Sequence, residues 1–219
     1  WISISYAQRA EMPPDTNWVA NIYHGVDESR FKPNYNPKGD YVAFLGRIIE
    51  SKGVHLAIAA AKKAGVKLKI AGKHYVGHGK DTYWREKIEP QLGGDIEYVG
   101  FIKTDAEKQE FLGNAHALLV PSIFNEPFGM VVIEALACAT PVIGLNSGAL
   151  PEIITPGKTG YIVEKTDDPT KMAADISDAI QAATTLDRRA CREVFEARFI
   201  AKIMHEKHLR LYLKFTAQV

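Results

Sequence analysis

Two cations and two carboxylates stand out in this chain for their spacing. Arg47 and Lys52 flank a short stretch in which an apolar run ends and a helical pattern begins, and each has a glycine beside it, Gly46 and Gly53. A strand-to-helix turn of this kind suits a diphosphate. Glycine lets the backbone come close, the helix start offers free N–H groups, arginine grips phosphate oxygens with its fork, and lysine adds a point charge. The plainer reading is a pair of solvated side chains on a surface loop. Glu126 and Glu134 have seven residues between them. Glu126 ends a loop just before Pro127-Phe128-Gly129-Met130, where a strongly apolar helix opens. Glu134 then falls about a turn and a half into the helix, at ~3.6 residues per turn. Its neighbours Val131, Val132, Ile133, Leu136 and Ala137 are apolar. A carboxylate among them is costly to bury unless something hydrogen-bonds to it, and the vicinal hydroxyls of a ribose would do so. The plainer readings are an exposed stripe for Glu134 and a favourable helix-start charge for Glu126.

The chain must supply elements that hold these groups. Its 219 residues are 46% hydrophobic and 24% charged, ordinary for one soluble domain with a single sizeable core. The net charge of +1 argues against a large footprint for nucleic acid or an anionic membrane. Cys138 and Cys191 are the only cysteines, which predicts buried thiols in a reducing, cytoplasmic setting. No stretch approaches the ~20 apolar residues of a membrane span, and the start lacks a signal-peptide pattern. The opening Trp1-Ile2-Ser3-Ile4-Ser5 reads as a strand already under way, as in a cut chain.

Short β-branched runs predict strands over 19–23, 41–45, 66–71, 96–99, 117–120, 141–144 and 160–163. Helical patterns occupy 52–64, 82–89, 105–114, 129–139, 169–183, 186–197 and 200–215. Alternation of this sort predicts an α/β fold, a doubly wound parallel sheet of Rossmann-like type, with ligands beyond the carboxyl ends of the strands. Residues 31–40 read as a surface loop. The last helix carries Ile200, Ile203, Met204, Leu211, Leu213 and Phe215 around a cationic middle, a face that packs against something outside the core.

The pair Glu126 and Glu134 resembles the Glu-x7-Glu motif of glycosyltransferase family 4, and Glu126-Pro127-Phe128-Gly129 is similar to that family's usual first half. Other landmarks follow in family order. They are Gly25-Val26-Asp27 with Phe31, Gly46-Arg47 with Lys52-Gly53, Ile70-Ala71-Gly72 and Val99-Gly100-Phe101. Then come Pro121-Ser122, Pro141-Val142-Ile143, Gly148-Ala149-Leu150-Pro151-Glu152 and Gly157-Lys158-Thr159-Gly160.

The resemblance implies the C-terminal, donor-binding half of a GT-B fold. Residues 1–219 would form one nucleotide-sugar-binding domain. Residues 1–18 would cross from a missing N-terminal domain, and the helical tail 199–219 would return toward it. The implied activity is retaining transfer of a hexose from a nucleotide sugar, UDP-glucose first and GDP-mannose second. The acceptor would be held by the missing domain, and the isolated chain is expected to be inactive. Arg47 and Lys52 would neutralise the departing diphosphate, Glu126 would bind donor-sugar hydroxyls near the reacting carbon, and Glu134 the ribose. Gly46 belongs to the phosphate turn and Gly72 opens a loop near the phosphates. Phe128, Gly129 and Met130 would offer backbone N–H groups, and Phe101 and Ile102 would contact the base.

No Asp-x-Asp metal motif follows a strand, so no metal or other cofactor is expected. Asp167-Asp168 reads as the cap of the helix from Pro169. His24 is expected to be structural, and His74 and His78 to be solvated loop histidines. Asp187-Arg188-Arg189 reads as a solvated helix start. A phosphorylase or sugar-nucleotide epimerase is the rival enzyme. A dinucleotide-dependent oxidoreductase lacks its Gly-x-Gly-x-x-Gly turn. A binding module without turnover is the rival from another class.

Overall fold

The protein is described here from a computed structural model covering residues 1–75 and 81–217. His78 lies outside the described residues. The chain opens with β1 (Ile2–Ser3), helix α1 (Tyr6–Ala10) and β2 (Ala20–Asn21). β1 and β2 pair in parallel as a small sheet of their own. The run 19–23 is thus a two-residue strand beside the chain start and takes no place in the main sheet.

The main sheet is built from β3 (Tyr41–Leu45), β4 (Lys67–Ala71), β5 (Ile96–Gly100), β6 (Leu118–Val120), β7 (Val142–Leu145) and β8 (Gly160–Val163). All neighbours are parallel, in the order β5-β4-β3-β6-β7-β8. The chain winds outward from β3 to β5, then returns to the other side of β3 as β6. That reversal opens a crevice beyond the carboxyl ends of β3 and β6, the place where open α/β sheets bind ligands.

Alternation along the strands splits the core between two faces. Val42 and Phe44 of β3 join Leu68, Ile70, Leu119 and Ile143 under α2 (Val54–Ala64) and α6 (Pro169–Ala183). Ala43, Leu118, Val120 and Val142 face the other way, toward α4 (Met130–Ala137) and α7 (Arg188–Arg198). α3 (Asp105–Gly113) completes that layer beside α4, started by a reciprocal Thr104–Glu107 capping box. Asp168 accepts from the amides of Thr170 and Lys171, so it caps α6 as expected. α5 (Leu150–Ile153) links β7 to β8, and α8 (Ala201–Thr216) follows α7.

Local chemistry shifts several boundaries. The helical pattern from 52 resolves into a tight turn, Glu50–Lys52, then Gly53, then α2. The pattern 82–89 becomes a wide π-type turn, Trp84–Ile88, followed by a 3-10 turn at Glu89–Gln91. Pro90 removes the amide that would carry a regular helix onward. Asp187 does start α7, but Arg188 is no solvated residue. It is buried and donates to the carbonyls of Asn34, Gly113 and Ala115 and to the Thr140 hydroxyl. Its charge sits at the carbonyl end of α3, where a cation is favoured. Burial holds its pKa below the usual arginine value.

Both cysteines are buried free thiols, pushed up to about 12 chiefly by desolvation. α8 buries none of its residues and leaves Leu209, Tyr212, Leu213 and Phe215 exposed. No helix among the described residues is long and apolar enough to cross a membrane.

Candidate functional site

A cleft of about 370 Å³ lies beyond β3 and β6. Gly46, Arg47, Lys52, Glu126, Phe128, Gly129 and Met130 all line it, so one crevice collects seven of the residues that the sequence and its family resemblance single out. Two loops meet there. The loop after β3 carries Arg47 and Lys52. The loop after β6 carries Glu126 and runs into α4. They are stitched together by the amide of Ile123, which donates to the carbonyl of Ser51 at 2.8 Å.

Lys52 Nζ donates to Glu126 Oε2 at 2.6 Å, with the two side chains only 18% and 12% exposed. The ammonium also lies 4.6 Å from the centre of the Phe124 ring, and the Ser122 hydroxyl donates to the same carboxylate oxygen at 3.3 Å. Arg47 is exposed at the rim and makes no ion pair among the described residues. The opening of α4 points into the crevice. Its first hydrogen bond is from the Val132 amide to the Gly129 carbonyl, so the amides before it have no partner within the helix. Those N–H groups, the helix dipole, Arg47 and Lys52 make a place where negative charge is stabilised.

The Glu126 loop is braced from behind by the motif from Gly148 to Glu152. Ala149 N donates to Glu126 O at 2.8 Å. Gly148 has φ of 56°, and a Cβ there would stand 2.2 Å from the same carbonyl oxygen, so only glycine fits. Glu152 holds the chain start: its carboxylate accepts from the amides of Tyr6 and Ala7 and from the Tyr23 hydroxyl. Burial first, then that carboxylate, pushes the Tyr23 pKa up to about 12. Ser5 Oγ donates to Pro127 O at 2.6 Å, fastening the same segment to the loop itself.

Gly72 does not line the cleft itself but packs against Gly46, which does. A Cβ on it would come within 1.7 Å of the Gly46 carbonyl oxygen, and the Tyr98 hydroxyl donates to Gly72 O at 2.8 Å. His74 stacks on Trp84 with ring centres 4.2 Å apart, so it is a packing residue of this loop rather than a solvated one.

His24, read as structural, lines the cleft and meets the Phe128 ring edge-on at 5.1 Å. Burial, and secondarily the nearby charge of His208, lowers its pKa.

Glu134 and the pair Phe101–Ile102 are placed elsewhere. Glu134 is buried, which rules out the exposed stripe, and its Oε1 accepts from Lys108 Nζ of α3 at 2.7 Å. Lys108 escaped the reading of the sequence, although it sits one helical turn before the inward Phe111 and Leu112. Phe101 and Ile102 line a separate groove on the α3 side, with Tyr41, Lys69, Glu107 and Glu110. Phe101 is 60% exposed there. Among the described residues no group of three or more His, Cys, Asp or Glu side chains is arranged to hold a metal ion.

Residues 25–193 match the family described as glycosyl transferases group 1. The chain belongs to that family. The alpha-maltose-1-phosphate synthase of Mycolicibacterium smegmatis is 28% identical over 229 residues, covering 95% of this chain and 54% of the enzyme. The phosphatidyl-myo-inositol mannosyltransferase of the same organism is 30% identical over 174 residues, 77% of this chain and 44% of that enzyme. Sucrose-phosphate synthase from Thermosynechococcus elongatus shares the fold over all of this chain and 58% of its own, with a TM-score of 0.82 at 24% identity. This group 1 chain therefore spans about half the length of these relatives, and its parallel sheet with a helical C-terminal segment matches GT-B enzymes.

Proposed function

We propose that this chain is the donor-binding domain of a retaining glycosyltransferase that moves a hexose from a nucleoside diphosphate sugar to an acceptor held largely by another domain. The observation that supports this reading best is the convergence of Arg47, Lys52, Glu126 and the start of α4 on one crevice. In the proposed step the bond between the anomeric carbon and the phosphate oxygen breaks, and negative charge grows on the leaving diphosphate. Once the donor is bound, Arg47, Lys52 and the α4 amides stabilise that charge with no further reorganisation during the step. Glu126 accepts hydrogen bonds from the sugar hydroxyls and favours an oxocarbenium-like carbon beside it. The acceptor oxygen attacks from the face the phosphate leaves, and its proton passes to a phosphate oxygen. Glu134, held by Lys108, is assigned to the ribose hydroxyls, and the turn Phe101–Ile102 to the base. UDP-glucose is the first donor to test. GDP-mannose is the second, since one relative is a mannosyltransferase by name.

Thermal-shift titration with UDP, GDP, ADP and NAD tests this directly. A ligand at a hundredfold excess over Kd stabilises by about 2.7 kcal/mol. One nucleoside diphosphate is expected to raise the melting temperature of wild type, with the shift lost in Lys52→Ala and Glu134→Ala. A shift with NAD alone, or shifts that survive both substitutions, would overturn the donor-site reading. The chain by itself is expected to transfer no sugar to water or to simple glycosides.

A further inference from the structure

The cleft puts a cation needed for phosphate within 2.6 Å of a carboxylate needed for the sugar. We propose that Lys52 is shared between them, so that a diphosphate entering the cleft takes Lys52 away from Glu126 and thereby frees that carboxylate for the donor sugar. This inference rests on the diphosphate reading above.

The geometry favours exchange over simultaneous binding. The Lys52 ammonium is occupied on one side by Glu126 and on another by the Phe124 ring, 4.6 Å from its centre. A phosphate oxygen joining the same Nζ would sit beside the carboxylate in a site where both side chains are largely shielded from water, so the two anions would repel with little screening. Lysine can yield because its ammonium rides on a flexible four-carbon stem. Glu126 need not be left bare, because the buried Ser122 hydroxyl already donates to the same oxygen at 3.3 Å and can close on it. The backbone of Glu126 does not move in this exchange, being held by Ala149 N and the close approach of Gly148.

A consequence follows for binding and release. The intact donor returns a sugar hydroxyl to the freed carboxylate, whereas the nucleoside diphosphate product returns nothing. Glu126 therefore weakens the product more than the donor, which favours release after transfer.

Isothermal titration of UDP, GDP and inorganic pyrophosphate into wild type, Glu126→Gln, Lys52→Ala and the double variant decides the matter. Glu126→Gln keeps the side chain's size and a hydrogen-bond acceptor but removes the competing charge. It is expected to hold whichever diphosphate wild type binds about tenfold more tightly, which is about 1.4 kcal/mol. In the Lys52→Ala background, titrated at ligand concentrations high enough to detect its weakened binding, the same change should gain less than about threefold, since no lysine remains to be released. Equal or weaker binding by Glu126→Gln, with wild type binding normally, overturns the sharing and leaves the donor site standing. Tightening for pyrophosphate without binding of any nucleotide supports the sharing and overturns the nucleotide reading. No binding of any probe by wild type or Glu126→Gln overturns both.

Discussion

Among the described residues, two short lysine–glutamate pairs of nearly equal length, 2.6 Å for Lys52–Glu126 and 2.7 Å for Lys108–Glu134, serve different ends. The first joins two loops at the mouth of the crevice, with Arg47 and the start of α4 beside it. The second joins two packed helices, α3 and α4, with Glu134 buried among the apolar residues of its own helix and the Lys108 ammonium 5.8 Å from the centre of the Phe31 ring. A pair at the mouth of a cleft can trade one partner for a ligand. A pair between helices is harder to open, because a charge left alone in a buried position costs several kcal/mol. Equal distances therefore say little about role; what surrounds the pair decides it.

The largest expected effect comes from the brace behind the first pair. Gly148→Ala forces a Cβ against the Glu126 carbonyl in a left-handed conformation, which should cost about 3 kcal/mol and displace the loop that carries Glu126. Urea unfolding and nucleotide titration would both register it. If this variant kept wild-type stability and binding, the loop would have to be softer than the structure shows.

Next in size is the difference between the two lysines. Lys108→Ala strands the Glu134 carboxylate and should destabilise by about 2 kcal/mol, below the 3–5 of a fully buried pair because Lys108 is 24% exposed. Lys52→Ala should cost about 1 kcal/mol less than that, although its pair is equally shielded at 18% and 12%, because Glu126 opens onto the cleft and keeps the Ser122 hydroxyl as a donor. Equal losses in a urea titration of the two variants would erase the contrast between the two pairs.

The smallest effect is in pH. The His24 pKa is lowered by burial first and by His208 second. The unfolded chain then takes up that proton before the folded one as pH falls through the usual histidine value of ~6.5, so stability is present above that value and lost below it. His55 behaves alike: burial lowers its pKa, Glu50 opposes the shift and Lys87 adds to it. The melting temperature should fall between about pH 7.5 and 5.5. His24→Asn should flatten part of that slope, and an unchanged slope would remove His24 from the account.

Residue order by itself determined the architecture and most of the crevice. Runs such as 117–120 and 141–144 announced strands buried on both faces, because a short all-apolar run between turns has few other uses. Arg47, Lys52 and Glu126 were visible because turn glycines and a helix start are local signals that sit next to the residues they serve.

What the tertiary structure decided is everything that depends on which elements pack together. Lys108 reaches Glu134 across 26 positions and Lys52 reaches Glu126 across 74. Arg188, which reads as a solvated helix start, spends its donors on carbonyls up to 154 positions away. Phe101 stands in family order with the rest, yet it and Ile102 line a groove apart from the cleft, because β5 lies at the sheet edge, two strands from the switch point between β3 and β6. Periodicity tells which face of an element turns inward, but a long charged side chain finds its partner only after the helices and loops have been brought together by burying apolar surface.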